Sequence, residues 1–86
     1  MRQPVQQLIE RYQNSLYAAA FNTCQNQMDA EDVVQETFVQ YYTSRKEFES
    51  EQHIRAWLLR VVINKARNIN RTFWNLARMD LMRTMV

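Results

Sequence analysis

Apolar side chains recur every three or four residues along almost the whole chain, the spacing of a helical face rather than the alternation of a strand. Val5, Leu8, Ile9, Tyr12, Leu16, Ala19, Ala20 and Thr23 form one stripe, which predicts a first helix over 4–24. Pro4 suits its first turn, where a missing N–H costs nothing. The polar run Gln25-Asn26-Gln27 breaks the stripe. A second stripe of Ala30, Val33, Val34, Thr37, Phe38 and Tyr41 predicts a helix over 29–43, with Asp29 as its N-cap. Residues 44–52 are dense in charge around a single Phe48 and read as a loop, with Ser50 as N-cap of the next helix. The third helix is expected over 51–71, with Ile54, Leu58, Val61, Val62, Ala66, Ile69 and Phe73 on one side. Lys65 falls inside that apolar sector and must snorkel out of it or interrupt it. Asn70 and Thr72 lower helix propensity, so a bend is expected near Thr72. Beyond it, residues 75–84 read as a short fourth helix packing back through Leu76, Met79 and Met82, with Val86 after it, or as an extension of the third. The expected fold is all-α, a compact bundle of three main helices in a single domain over 1–86.

Composition supports this and removes most enzyme templates. The 86 residues contain no glycine and one proline. Tight hairpins favour glycine, so a β-rich fold is not expected, and phosphate-cradling loops require it, so a Rossmann fingerprint and a P-loop are excluded. A single cysteine, Cys24, forms no internal disulfide and no multi-cysteine zinc site; it reads as a small buried hydrophobe. With one histidine there is no His-rich metal site, and no cofactor or metal is expected. The longest apolar run, Leu16 to Phe21, is far short of the roughly 20 residues of a membrane span, and the first residues carry no signal-peptide core. A cytoplasmic protein without membrane contact is the expectation.

The net charge of +2 hides an uneven distribution. Residues 1–51 hold eight acids against four bases, and residues 52–86 hold seven bases against one acid. Such a split suggests two different partners, the basic half facing a polyanion. On the third helix Arg60, Asn64, Arg67 and Arg71 lie opposite the apolar side, spaced 4, 3 and 4, with Trp57 and Asn68 at the border. Arginine neutralises phosphates and can grip a guanine edge; asparagine both donates and accepts. The competing reading is a solvated helix face. Aromatic rings lie near the stripe: Phe48, Trp57, Phe73 and Trp74. Bases stack on such rings or flip into pockets made of them. Trp57, set among Ile54, Leu58 and Val61, reads equally as core and as platform. Phe48 reads as the anchor of its loop, and Trp74 as an exposed contact or a lid. His53 reads first as surface, then as a phosphate or base contact. On the second helix Asp32, Gln35 and Glu36 lie close to Val39. Acids do proton chemistry only in a cleft that holds a substrate. No such cleft is encoded, so these residues read as a solvated face or a docking face for a basic partner, and no residue reads as catalytic.

The run Asp29-Ala30-Glu31-Asp32-Val33-Val34-Gln35-Glu36-Thr37-Phe38 resembles the D-A-E-D-(L/V)-V-Q-E-T-F motif of bacterial sigma factors. Leu16-Tyr17-Ala18-Ala19-Ala20-Phe21 before it fits the same pattern, and so does His53-Ile54-Arg55-Ala56-Trp57-Leu58-Leu59-Arg60-Val61-Val62-Ile63-Asn64-Lys65-Ala66-Arg67 after it. Together they are similar to region 2 of the extracytoplasmic-function (ECF) branch of the sigma-70 family, over about residues 5 to 73. The resemblance implies a helical domain that binds the β′ clamp helices of RNA polymerase core and recognises and helps melt the promoter −10 element. It implies docking through Asp32, Gln35, Glu36 and Val39. It implies DNA contact through the loop with Arg45 and Lys46, then His53, Trp57, Arg60, Asn64, Arg67, Asn68 and Arg71, the loop holding a flipped base of the non-template strand. An anti-sigma factor is a further partner such domains take. The family pattern continues into a linker and a helix-turn-helix region 4. This chain has no length for one, so it is expected to be an excised or truncated domain that binds promoters weakly alone. Thr72-Phe73-Trp74-Asn75-Leu76 replaces the arginine-rich run often found after the third helix. The competing reading is a helical protein-interaction module that binds no DNA.

Overall fold

Pro4 stands just outside the first helix, α1 (Val5–Cys24), in the N-cap position. Its carbonyl receives the N–H groups of Gln7 and Leu8. The fixed φ of proline suits that place, and no helical bond needs its nitrogen. The computed structural model describes the backbone of residues 2–84 and the side chains of residues 2–69.

α1 ends on Gln25, whose φ of 59° and ψ of 27° are left-handed and whose N–H bonds the Phe21 carbonyl. Glycine usually takes such a position because it has no Cβ to clash. This chain has no glycine. Gln25 holds the conformation and donates from Nε2 to the Asn22 carbonyl at 2.9 Å. Gln25→Gly is expected to raise stability by about 0.5–1 kcal/mol, because relief of the left-handed clash outweighs one exposed amide bond. A thermal melt checks this, and a lowered midpoint would show that the side-chain bond matters more.

The second helix, α2 (Gln27–Thr43), starts two residues before the expected one. Its N-cap is Asn26, not Asp29. The Asn26 Oδ1 accepts from the Asp29 N–H at 2.9 Å. Asparagine caps as well as aspartate does, and Asp29 then sits in the first turn, where its charge favours the positive helix end. α2 stops at Ser44, whose extended backbone turns away while its N–H still bonds the Gln40 and Tyr41 carbonyls.

The loop that follows is pinned by Phe48, which is fully buried. Ser50 then caps the third helix, α3 (Glu51–Thr84), its Oγ accepting from the His53 N–H at 3.2 Å. α3 is one continuous helix through Thr84, without the break expected near Thr72. Asn70 and Thr72 each cost well under about 1 kcal/mol in a helix, and neither glycine nor proline is there to stop it. The expected packing of Leu76, Met79, Met82 and Val86 lies outside the described side chains.

α1 packs against both α2 and α3, and these pack against each other. One core joins Leu8, Leu16 and Ala20 of α1 to Val33, Phe38 and Tyr41 of α2 and to Ile54, Leu58, Val62 and Ala66 of α3. All six residues expected to face inward on α2 are buried, Thr37 with its hydroxyl donating to the Val33 carbonyl. Cys24 is buried and in no disulfide, as expected of a small hydrophobe, with its thiol donating to the Asn26 carbonyl at 3.5 Å. The described residues contain no strand and no helix long and apolar enough to cross a membrane.

Candidate docking and nucleic-acid interfaces

With one side of α2 committed to the core, helical geometry turns Asp32, Gln35, Glu36 and Val39 outward together. All four are exposed, Val39 by 61%. They line a single open groove of about 500 Å³ with Gln40, Thr43 and Lys65. Lys65 answers the question its position raised. It is half-buried and reaches across from α3 so that its Nζ lies 3.8 Å from Glu36 Oε2. That pair takes one cation out of the α3 surface and joins it to the acidic face.

A second groove, about 520 Å³, runs along the other flank of the same face. It is bounded by Val5, Ile9 and Gln13 of α1 and by Val34, Gln35, Phe38, Val39 and Tyr42 of α2. Tyr42 is 72% exposed, and sequence reasoning passed over it. The signal was present: Tyr42 follows exposed Val39 by three residues and buried Phe38 by four, which puts a large ring at the border between the outward face and the buried set.

The basic surface lies on α3. Ile54, Leu58, Val62 and Ala66 are buried, and Arg60, Asn64, Arg67 and Asn68 are exposed. From Arg60 to Arg67 the stripe covers about 10 Å of helix, the length of a few nucleotide steps. The Arg71 side chain lies outside the described residues, as do Phe73 and Trp74.

At the N-terminal end of α3 the loop is built around a cluster of rings. Phe48 meets Trp57 edge-on at 5.6 Å and His53 edge-on at 5.1 Å between ring centres, and lies tilted by 31° against Tyr41 at 5.7 Å; Trp57 also meets Tyr41 edge-on at 6.2 Å. Trp57 is half-buried: it packs on the core and still offers surface. His53 is half-buried too. Its Nδ1 accepts the Glu49 N–H at 3.1 Å, so the imidazole ties the loop back to the helix start. Arg45 and Lys46 are exposed on this loop, with the Lys46 ammonium 5.9 Å from the centre of the Phe48 ring. Arg11 of α1 pairs with Glu51 in the first turn of α3. That carboxylate raises the guanidinium pKa further above its usual value, by hydrogen bond and by charge.

The arrangement therefore has three parts: an acid-and-amide face with apolar Val39 and Tyr42, a cationic helix face, and an aromatic-backed loop with two cations between α2 and α3. Among the described residues no group of acids, histidines or cysteines could hold a metal.

Residues 8–74 match the family model for Sigma-70 region 2. Over 65 residues the chain is 34% identical to the RNA polymerase sigma factor NccH of Alcaligenes xylosoxydans xylosoxydans, covering 76% of this chain and 35% of that protein. It is 38% identical over 61 residues to the ECF RNA polymerase sigma-E factor of Haemophilus influenzae, covering 71% and 32%. It is 37% identical over 65 residues to the RNA polymerase sigma factor CnrH of Cupriavidus metallidurans, covering 76% and 34%. The chain thus spans about a third of the length of the curated relatives it matches. No solved structure matches it.

Proposed function

The chain belongs to the Sigma-70 region 2 family, a family of sigma factors and not of enzymes, and on that footing we propose that it binds core RNA polymerase and recognises and helps melt the promoter −10 element to start transcription. It would do so in the cytoplasm. The observation that carries this reading is the separation of two unlike surfaces on one small domain. The acidic groove of α2, with Asp32, Gln35, Glu36 and Val39, suits a basic helical partner such as the β′ clamp helices. The exposed Arg60, Asn64 and Arg67 of α3 suit a polyanion.

In this reading each surface has a separate task. Docking through α2 holds the domain on the polymerase, which does the catalysis. Arginines on α3 neutralise phosphates and release counterions, and Asn64 can donate to or accept from a base or sugar. The loop with Arg45 and Lys46, backed by Phe48 and Trp57, holds a base turned out of the non-template strand. Unstacking costs a few kcal/mol, and capture of the freed base offsets it. Asn68, Arg71 and His53 flank these contacts, His53 acting mainly by shaping the loop.

The docking half is tested by pull-down of a β′ clamp-helix fragment. Gln35→Ala and Glu36→Lys are expected to weaken retention about tenfold or more, Glu36→Lys the more because it also sets a second cation beside Lys65. Both side chains are exposed, so both variants are expected to fold normally. Undiminished retention of both would remove the docking assignment.

A further inference from the structure

Ahead of α1 lies a segment that neither surface uses. Arg2 spans from the end of α2 to the middle of the loop. Its Nη2 donates to the Tyr41 carbonyl and its Nη1 to the Lys46 carbonyl, both at 2.8 Å. Its guanidinium carbon lies 4.7 Å from the centre of the Tyr41 ring. Gln3 is fastened to the same residue by its backbone: its N–H donates to the Tyr41 hydroxyl at 2.9 Å, and that hydroxyl donates to the Gln3 carbonyl at 2.7 Å. Tyr41 is itself buried against Phe48 and Trp57. The chain therefore fixes the loop from both sides, by the ring cluster within and by a guanidinium fork across its backbone.

We propose that Arg2 is a positioning residue for the loop between α2 and α3, presetting the backbone that carries Arg45 and Lys46 before nucleic acid arrives. This rests on the reading of that loop as a DNA contact. A loop with carbonyls held in place loses less freedom on binding than one that must be ordered by its ligand. Only arginine supplies two parallel donors wide enough apart to join two carbonyls from different segments; lysine brings a charge but no fork. The role is therefore separable from that of a cation that touches phosphate.

The experiment compares Arg2→Ala and Arg2→Lys with the parent 86-residue chain. Amide hydrogen exchange is followed at the loop residues Lys46 and Glu49, whose N–H groups bond Ser44 Oγ and His53 Nδ1, with Leu58 in the core as the control. Binding is followed to a forked duplex with a randomised single-stranded arm, over a range of salt. Both variants are expected to exchange at Lys46 and Glu49 about tenfold faster with Leu58 unchanged. Both are expected to bind the fork about tenfold more weakly, with the salt slope of the parent. Full binding by Arg2→Lys, with a shallower slope in Arg2→Ala, would overturn the proposal and make Arg2 a phosphate contact. Unchanged loop exchange in Arg2→Ala would overturn it outright. If the parent chain did not bind the fork, the DNA reading of the loop would fall, and the role of Arg2 in binding with it. The exchange rates would then still decide whether Arg2 sets the loop.

Discussion

The double variant Arg60→Glu/Arg67→Glu is expected to lose a hundredfold or more of its affinity for forked DNA while keeping the fold of the parent. Both side chains are exposed on the side of α3 opposite Ile54, Leu58, Val62 and Ala66, so their exchange disturbs no packing. Surface substitutions of that kind change stability by roughly 0.5 kcal/mol or less. Binding is a different matter. Two favourable phosphate contacts vanish and two repulsive ones replace them. At about 1 kcal/mol for each close charge pair in water the sum is about 4 kcal/mol, more than enough for the hundredfold loss. The dependence of affinity on salt is expected to flatten as well, by roughly 0.9 in log–log slope for each phosphate contact removed from duplex. A titration of labelled forked duplex at several salt concentrations reads both quantities. Parent-like affinity in the double variant would show that the stripe is only a solvated face. A parent chain with no DNA affinity at any salt would favour the helical interaction module instead.

Leu58→Ala is expected to cost about 2–5 kcal/mol of folding stability. A chain of this length has a total of roughly 4–13 kcal/mol at the usual stability per residue. Leu58 is fully buried in the core that joins all three helices. Truncation removes apolar contact and leaves a cavity that the surrounding helices cannot fully close. The loss would fall on function too, because α3 carries the cationic stripe and can present it only while its other side is packed. Urea unfolding followed by circular dichroism measures the cost. A change below about 1 kcal/mol would mean that α3 does not hold the bundle together in the way its burial indicates.

How far the chain could be read ahead of its structure differs from element to element. On α2 the inward residues were legible in full, because a helix of that length has only one face apolar enough to bury. The outward set of Asp32, Gln35, Glu36 and Val39 followed from the same geometry. The helix start was read two residues late, since Asp29 and Asn26 are equally good caps and only the observed bond from Asn26 chooses between them. On α3 the outward placing of Arg60, Asn64 and Arg67 was legible, whereas Asn70 and Thr72, weak helix formers, do not interrupt the helix. Lys65 stood out as an anomaly, but its partner Glu36 sits on another helix, 29 positions away.

What the sequence by itself determined is periodic: three helical stripes, the faces they bury, and the segregation of acids on α2 from arginines on α3. These depend only on the fixed angle between successive residues, which no tertiary contact alters. The closure of long-range pairs was decided by the tertiary structure alone. Arg2 reaching Tyr41 and Lys46 and Lys65 reaching Glu36 join residues far apart in the chain, and Tyr41, Phe48 and Trp57 meet in one ring cluster across two helices and the loop between them. Such meetings depend on how the helices cross and where the loop settles, and local spacing carries no record of either.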